Sequence, residues 1–170
     1  ARLTDRVAIN SKHMVEGSTM GLVPGDMVTV EDLLWGMLLP SGNDAATALA
    51  DHVGGSIPGF VEMMNQKAQA LGLRNTHFAN PHGLDNDDHY SSAYDLARIS
   101  WQALQYPLFA KMVGTQFYVT QNSSREFYLK NANSLLWYQD SIPGVDGIKT
   151  GFTDNAGDSL ISSIVRNNHR

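Results

Sequence analysis

The sequence predicts an α+β fold, a helical lobe followed by strands of an antiparallel sheet. Two observations carry this. Apolar residues recur at the helical period through roughly the first two thirds of the chain, and after Val113 the period shifts to that of strands. Residues 1–114 therefore read as mostly helical and residues 115–170 as the sheet region, within one domain or part of one.

Taken in order, residues 1–29 read as irregular, with a short strand at Val7-Ala8-Ile9 and a turn at Val23-Pro24-Gly25-Asp26, where Pro presets φ and Gly supplies a positive φ. Met27-Val28-Thr29 leads into the first helix. Thr29 and Asp32 stand at capping-box spacing, and Leu33, Leu34, Met37 and Leu38 form a core stripe ended by Pro40. Gly42 permits a sharp turn into a second helix over about Asp44–Val53, whose alanines allow close packing; Gly54-Gly55 stop it. Ser56 caps a third helix with Phe60, Met63, Met64, Ala68 and Leu71 on its apolar face and Gly72 at its C-terminal end.

A long connection over residues 73–90 precedes a helix capped by Ser92 and Asp95, with Leu96, Ile99, Ala103 and Leu104 facing inward. Pro107 opens a short helix to about Val113. Strands follow at Gln116–Thr120, Phe127–Leu129, Val145–Thr150 and about Ser159–Val165, the last two joined by a turn around Asp154–Gly157. Trp35, Trp101 and Trp137 read as core or half-buried anchors. So few strands make a poor cover for five amphipathic helices, and a large apolar face is expected at the surface.

Composition excludes several functions. The formal net charge of -5 and the lack of any Lys/Arg cluster argue against a nucleic-acid partner. With no cysteine, disulfides, thiolate metal sites and Cys nucleophiles are ruled out. His77, His82, Asp85, Asp87, Asp88 and His89 match neither a zinc spacing nor a calcium loop, so no metal and no cofactor is expected.

Two short motifs carry chemistry. Lys149-Thr150-Gly151 lies on a strand and presents a cation, a hydroxyl and a bare backbone edge in succession. Ser41-Gly42-Asn43 lies at the mouth of a helix–helix turn. Taken singly, the triplet reads as a strand end and Ser41 as a helix cap. Together they match two of the three motifs of penicillin-binding proteins and class A β-lactamases, Ser-x-Asn and Lys-Thr-Gly.

The surrounding residues sharpen the match. Val28–Ala46, Asn75–Phe78, Asn80–Asp85, Tyr90–Leu96 and Pro143–Thr153 closely resemble the low-molecular-mass D-alanyl-D-alanine carboxypeptidases, the serine peptidase family S11, with a β-lactamase/DD-peptidase-like (transpeptidase-like) fold. The family's nucleophile is the Ser of Ser-x-x-Lys. Three residues before Lys12, Lys67, Lys111, Lys130 and Lys149 stand Ile9, Met64, Leu108, Phe127 and Asp146, so these residues hold no such motif. Judged by the resemblance, the chain begins after the nucleophile's helix and ends before the last strand and terminal helix, which accounts for the small sheet.

The resemblance implies acyl transfer on peptidoglycan stem peptides ending in D-Ala-D-Ala, with β-lactam antibiotics as the other ligands. Ser41 would relay a proton, Asn43 would hold the acyl side-chain amide and help orient the base, and Lys149 would raise the local positive potential. Thr150 would bind the substrate carboxylate, Gly151 would leave the strand edge open, and the N–H of Phe152 would supply an oxyanion-hole donor. His82 reads as a hydrogen-bonded loop histidine, and the resemblance, which puts its loop at the active-site rim, keeps it as a substrate-binding candidate. An extracytoplasmic location follows, in the bacterial periplasm or at the cell surface, with membrane association in the full-length protein. Two alternatives accompany this reading: a non-catalytic relative that binds peptidoglycan peptides, and an assembly completed by a segment or chain supplying Ser-x-x-Lys.

Overall fold

In the computed structural model, which describes every residue except Gln139 and Asn168, strand β1 (Arg6–Ala8) pairs antiparallel with β2 (Met27–Thr29). The first 29 residues are thus less irregular than their pattern suggests, and Met27–Thr29 is a strand before it is a helix approach. Val7, Ile9 and Val28 are buried beneath this pair, so its inner face belongs to the core.

Helix α1 (Val30–Leu38) starts where expected, with the Asp32 N–H donating to Thr29 Oγ1 at 3.1 Å. Helix α4 (Ala93–Ala103) begins likewise, the Asp95 N–H donating to Ser92 Oγ at 3.2 Å. Both acids leave the second half of the expected box unmade. Asp is a methylene shorter than the Glu that normally reaches back, and both carboxylates are spent on tertiary contacts. Asp32 accepts from Ser123 Oγ at 2.6 Å, and Asp95 accepts from Asn75 N at 2.9 Å and Thr76 Oγ1 at 2.8 Å.

Helix α2 (Asn43–Gly54) packs its alanine face into the centre: Ala45, Ala48 and Ala50 are fully buried. It ends at Gly55, which takes the left-handed conformation at φ 70°. Ser56 caps helix α3 (Ile57–Ala70) by accepting the Gly59 N–H at 3.1 Å, and Pro58 occupies the first turn. Helix α5 (Pro107–Val113) contributes Met112 and Val113 to the core.

The core gathers around α1, α2 and α5. Trp35 is buried and stacks on Tyr118 with ring centroids 4.0 Å apart and planes 9° apart. Trp101 and Trp137, expected as anchors, are 65% and 43% exposed. The apolar face of α4, expected to point inward, instead lines with that of α3 an open groove of about 540 Å³ that includes Phe60, Met63, Leu71, Ile99, Ala103 and Phe109, in keeping with the large apolar face expected at the surface. Helical periodicity records that a face is apolar, not what covers it.

Among the described residues the strands form three separate two-stranded antiparallel sheets. Strand β3 (Phe117–Val119) pairs with β4 (Tyr128–Lys130), one residue shifted from the expected span of β4. Strand β5 (Val145–Thr153) pairs with β6 (Gly157–Ile164), a hairpin longer than the sequence pattern suggests, with Lys149 opposite Ile161 and Thr150 opposite Leu160. The Ala156 N–H donating to Thr153 Oγ1 at 3.1 Å closes its turn. Ile148 and Val145 are buried, and Gly147 lies against Val113 of α5, so the hairpin docks on the helical core by its first half.

Candidate functional site

The sharp turn between α1 and α2 creates the first half of the site. Gly42 permits it: a Cβ there would meet Gly36 O and Met20 N, both at 2.9 Å, while the Gly42 N–H donates to Gly36 O at 3.0 Å. The turn places Ser41 in the left-handed region at φ 65°. A non-glycine residue there is strained by roughly 1–2 kcal/mol, and such strain gathers at functional sites.

The second half comes from β5. Lys149 Nζ reaches across 108 residues of sequence to donate to Ser41 Oγ at 2.7 Å, and also donates to Thr150 O at 2.9 Å. Desolvation pushes the Lys149 ammonium down from 10.5 to about 8. A hydroxyl that receives a donor at its oxygen keeps its own O–H free to donate elsewhere. The pair can therefore carry a proton at neutral to mildly alkaline pH.

Asn43 is buried at the start of α2. Its backbone N–H donates to Ser18 O at 2.8 Å and its side-chain Nδ2 to Glu16 O at 2.7 Å. These partners lie in the stretch the sequence pattern left as irregular. No signal in the sequence marks a backbone carbonyl as an acceptor, and the contact spans 27 residues.

Thr150 is half-buried, whereas Gly151 and Phe152 are exposed, Phe152 at 66%. The strand edge beside the Lys149–Ser41 pair thus stays open to a partner. Thr150 and Gly151 also border a hollow of about 260 Å³ with Asn133, Ser134, Asp158 and Leu160.

His82 is built into its own turn. Its Nδ1 accepts the Leu84 N–H at 3.3 Å, and burial followed by the nearby His89 pushes its pKa down. Among the described residues its hydrogen bonds do not extend to Ser41, Asn43 or Lys149. The next residues of that loop meet the hairpin that carries Lys149, since Asp85 Oδ2 accepts the Asn155 N–H at 3.3 Å.

Known proteins share this fold. A family described as D-alanyl-D-alanine carboxypeptidase, peptidase family S11, matches residues 2–170. The D-alanyl-D-alanine carboxypeptidase DacF of Bacillus subtilis is 42% identical over 172 residues, covering 99% of this chain and 43% of its own length. DacD of Escherichia coli is also 42% identical, over 98% of this chain and 42% of its own length. The chain thus spans less than half the length of these curated relatives. Among solved structures, a Streptomyces DD-transpeptidase superposes with a TM-score of 0.89 at 33% identity, over 99% of this chain and 70% of that one. Penicillin binding protein 5 from Haemophilus influenzae gives 0.88 at 38% identity, over 98% of this chain and 48% of that one. The α+β architecture is therefore that of the DD-peptidases. A match that runs over residues 2–170 in sequence and through all of these elements in space settles the family: the chain belongs to the D-alanyl-D-alanine carboxypeptidases of peptidase family S11.

Proposed function

We propose that the chain forms two walls of the cleft of a penicillin-sensitive serine D-alanyl-D-alanine carboxypeptidase, acting on peptidoglycan stem peptides outside the cytoplasm. The observation that carries this is the 2.7 Å bond from Lys149 Nζ to Ser41 Oγ, which joins the Ser-x-Asn turn to the Lys-Thr-Gly strand.

In this reading a serine hydroxyl attacks the carbonyl between the two D-alanines. The new C–O bond forms as the C–N bond breaks, and the leaving D-alanine amine takes a proton relayed through Ser41. Water then cleaves the acyl ester and returns the serine hydroxyl. Lys149, with no carboxylate partner among the described residues, supplies positive potential for the substrate carboxylate, and Thr150 donates its hydroxyl to that carboxylate. Gly151 lets the peptide backbone lie along β5, with the Phe152 N–H as an oxyanion donor. Asn43 offers its amide to the acyl part, and His82 stands at the rim within a loop that braces the hairpin.

The nucleophilic Ser and base Lys of a Ser-x-x-Lys motif do not occur in these 170 residues, so the chain by itself binds without acylating. The test is a pair of measurements on the chain. A peptide ending in D-Ala-D-Ala should shift the NMR signals of Ser41, Lys149 and Thr150, its L-Ala-L-Ala counterpart should not, and Lys149→Ala should remove the response. A fluorescent penicillin should leave no covalent label. Equal response to both peptides, or a labelled serine, overturns the reading.

A further inference from the structure

Asp44 follows the Ser-x-Asn turn and is 2% exposed, yet among the described residues its carboxylate makes no ion pair. Both of its oxygens are saturated. Oδ1 accepts from Met20 N at 3.0 Å and Ala45 N at 2.9 Å, and Oδ2 accepts from Thr19 Oγ1 at 2.5 Å and Leu22 N at 3.0 Å. Thr19 Oγ1 in turn accepts the Gly21 N–H at 2.8 Å. A carboxylate in the first turn of a helix is favourably placed toward the helix dipole, and Gly42 offers no side-chain cap of its own. Asp44 thus performs the capping while its remaining acceptor positions fold residues 18–22 around it.

That segment also holds Asn43, through Ser18 O to its backbone and Glu16 O to its side chain. The fit is tight. A Cβ at Gly17, which sits at φ +88°, would approach Asn43 Nδ2 to 2.8 Å. Met20 anchors the strap by packing on Gly36, where a Cβ would collide with its sulfur. With Nδ2 committed to Glu16, Asn43 Oδ1 is left without a hydrogen-bond partner among the described residues.

We propose that Asp44 is a positioning residue for the cleft: it shapes residues 16–22 into a strap whose carbonyls fix the Asn43 amide and leave its Oδ1 as a pre-set acceptor. This rests on the acyl-transfer reading for its purpose but not for its geometry, and the two are tested apart.

The ligand-free experiment follows the Asn43 side-chain amide by NMR in the 170-residue chain. In the parent chain one Nδ2 proton exchanges slowly with solvent. Asp44→Asn converts one saturated oxygen to a donor, and should speed that exchange at least about 10-fold while the amides of β5 and β6 keep their positions. Gly17→Ala, which crowds the amide from the exposed side and leaves the Asp44 carboxylate unchanged, should do the same and covers the case in which Asp44→Asn does not fold. A folded Asp44→Asn chain in which the Asn43 amide stays protected overturns the proposal.

The second experiment titrates the D-Ala-D-Ala peptide into single and double variants. If Asn43→Ala weakens binding about 10-fold, Asp44→Asn should weaken it similarly, and the double variant no further, because both remove the same contact. Losses that multiply to about 100-fold show Asp44 acting through the fold alone and overturn the proposal. If Asn43→Ala leaves binding unchanged while Asp44→Asn still frees the amide, the acyl-transfer reading falls and the positional link stands.

Discussion

Removing the charge at Lys149 tests the electrostatics of the site directly. Its folded value of about 8 lies below the 10.5 of the unfolded chain, so unfolding takes up a proton between those limits. Stability from this group is intact above pH 10.5 and is lost as the pH falls toward 8; below that the full cost of the buried ammonium remains. A shift of this size corresponds to about 3 kcal/mol at pH 7 and about 1 kcal/mol at pH 10. The two hydrogen bonds from Nζ return about 1 kcal/mol each and change little with pH. Lys149→Met, which keeps the aliphatic stem and loses the charge, should therefore equal or exceed the parent in stability at pH 7. Its advantage should shrink by about 2 kcal/mol between pH 7 and pH 10. Urea unfolding of both chains across that range measures the difference, and the Lys149 ¹³Cε shift gives the titration itself. A midpoint above pH 10, or a stability difference that does not vary with pH, refutes the argument.

Three further outcomes are expected. Ser41→Gly relieves the left-handed strain and Ser41→Ala keeps it, so the glycine variant should be more stable by about 1 kcal/mol in thermal or urea unfolding; an alanine variant of equal stability would show that the turn is not strained. Asp26 is pushed up by burial, but the Arg125 guanidinium and the Val23 N–H outweigh this and hold it below 3.8. Arg125→Ala, which strands that carboxylate, should cost about 1–3 kcal/mol at pH 7, less at pH 3; a cost under about 0.5 kcal/mol contradicts the pairing. His82 and His89 both accept backbone N–H groups on Nδ1, from Leu84 and Ala79, and burial first and a neighbouring histidine second push both below 6.5. The stability they support should hold above pH 6.5 and decline as the pH falls below it. Asn at both positions keeps an acceptor oxygen and should flatten that decline; an unchanged pH profile of Tm would count against it.

The pairing of Ser41 with Lys149 was legible because two motifs of fixed chemistry stood in order, and the fold brings them to hydrogen-bond distance. The helices were legible for the same reason their caps were: Thr29, Ser56 and Ser92 are local signals with local partners. What escaped was set by distance in the chain. Asp32 and Asp95 matched a capping spacing, yet their carboxylates bond residues 91 and 19–20 positions away. Glu16 and Ser18 serve the site through carbonyls that every residue possesses. The stripes of α3 and α4 were read correctly as apolar, and the inward reading of α4 missed that Ile99 and Ala103 line a groove, since a groove and a core share one periodicity.

The β5–β6 hairpin draws its strand pairing from within itself, and it joins the helical part through the buried Val145 and Ile148 of its first half, the Lys149–Ser41 bond and the Asn155–Asp85 bond. Local hairpins of this kind open as units without the whole chain unfolding. The cleft is therefore a seam between the helix turn at Ser41 and the outer half of the hairpin, beyond the buried Ile148. A ligand spanning Ser41 and Thr150 acts as a staple across it, so occupancy can be read as slowed hydrogen exchange along β6, the strand paired behind the one the ligand touches.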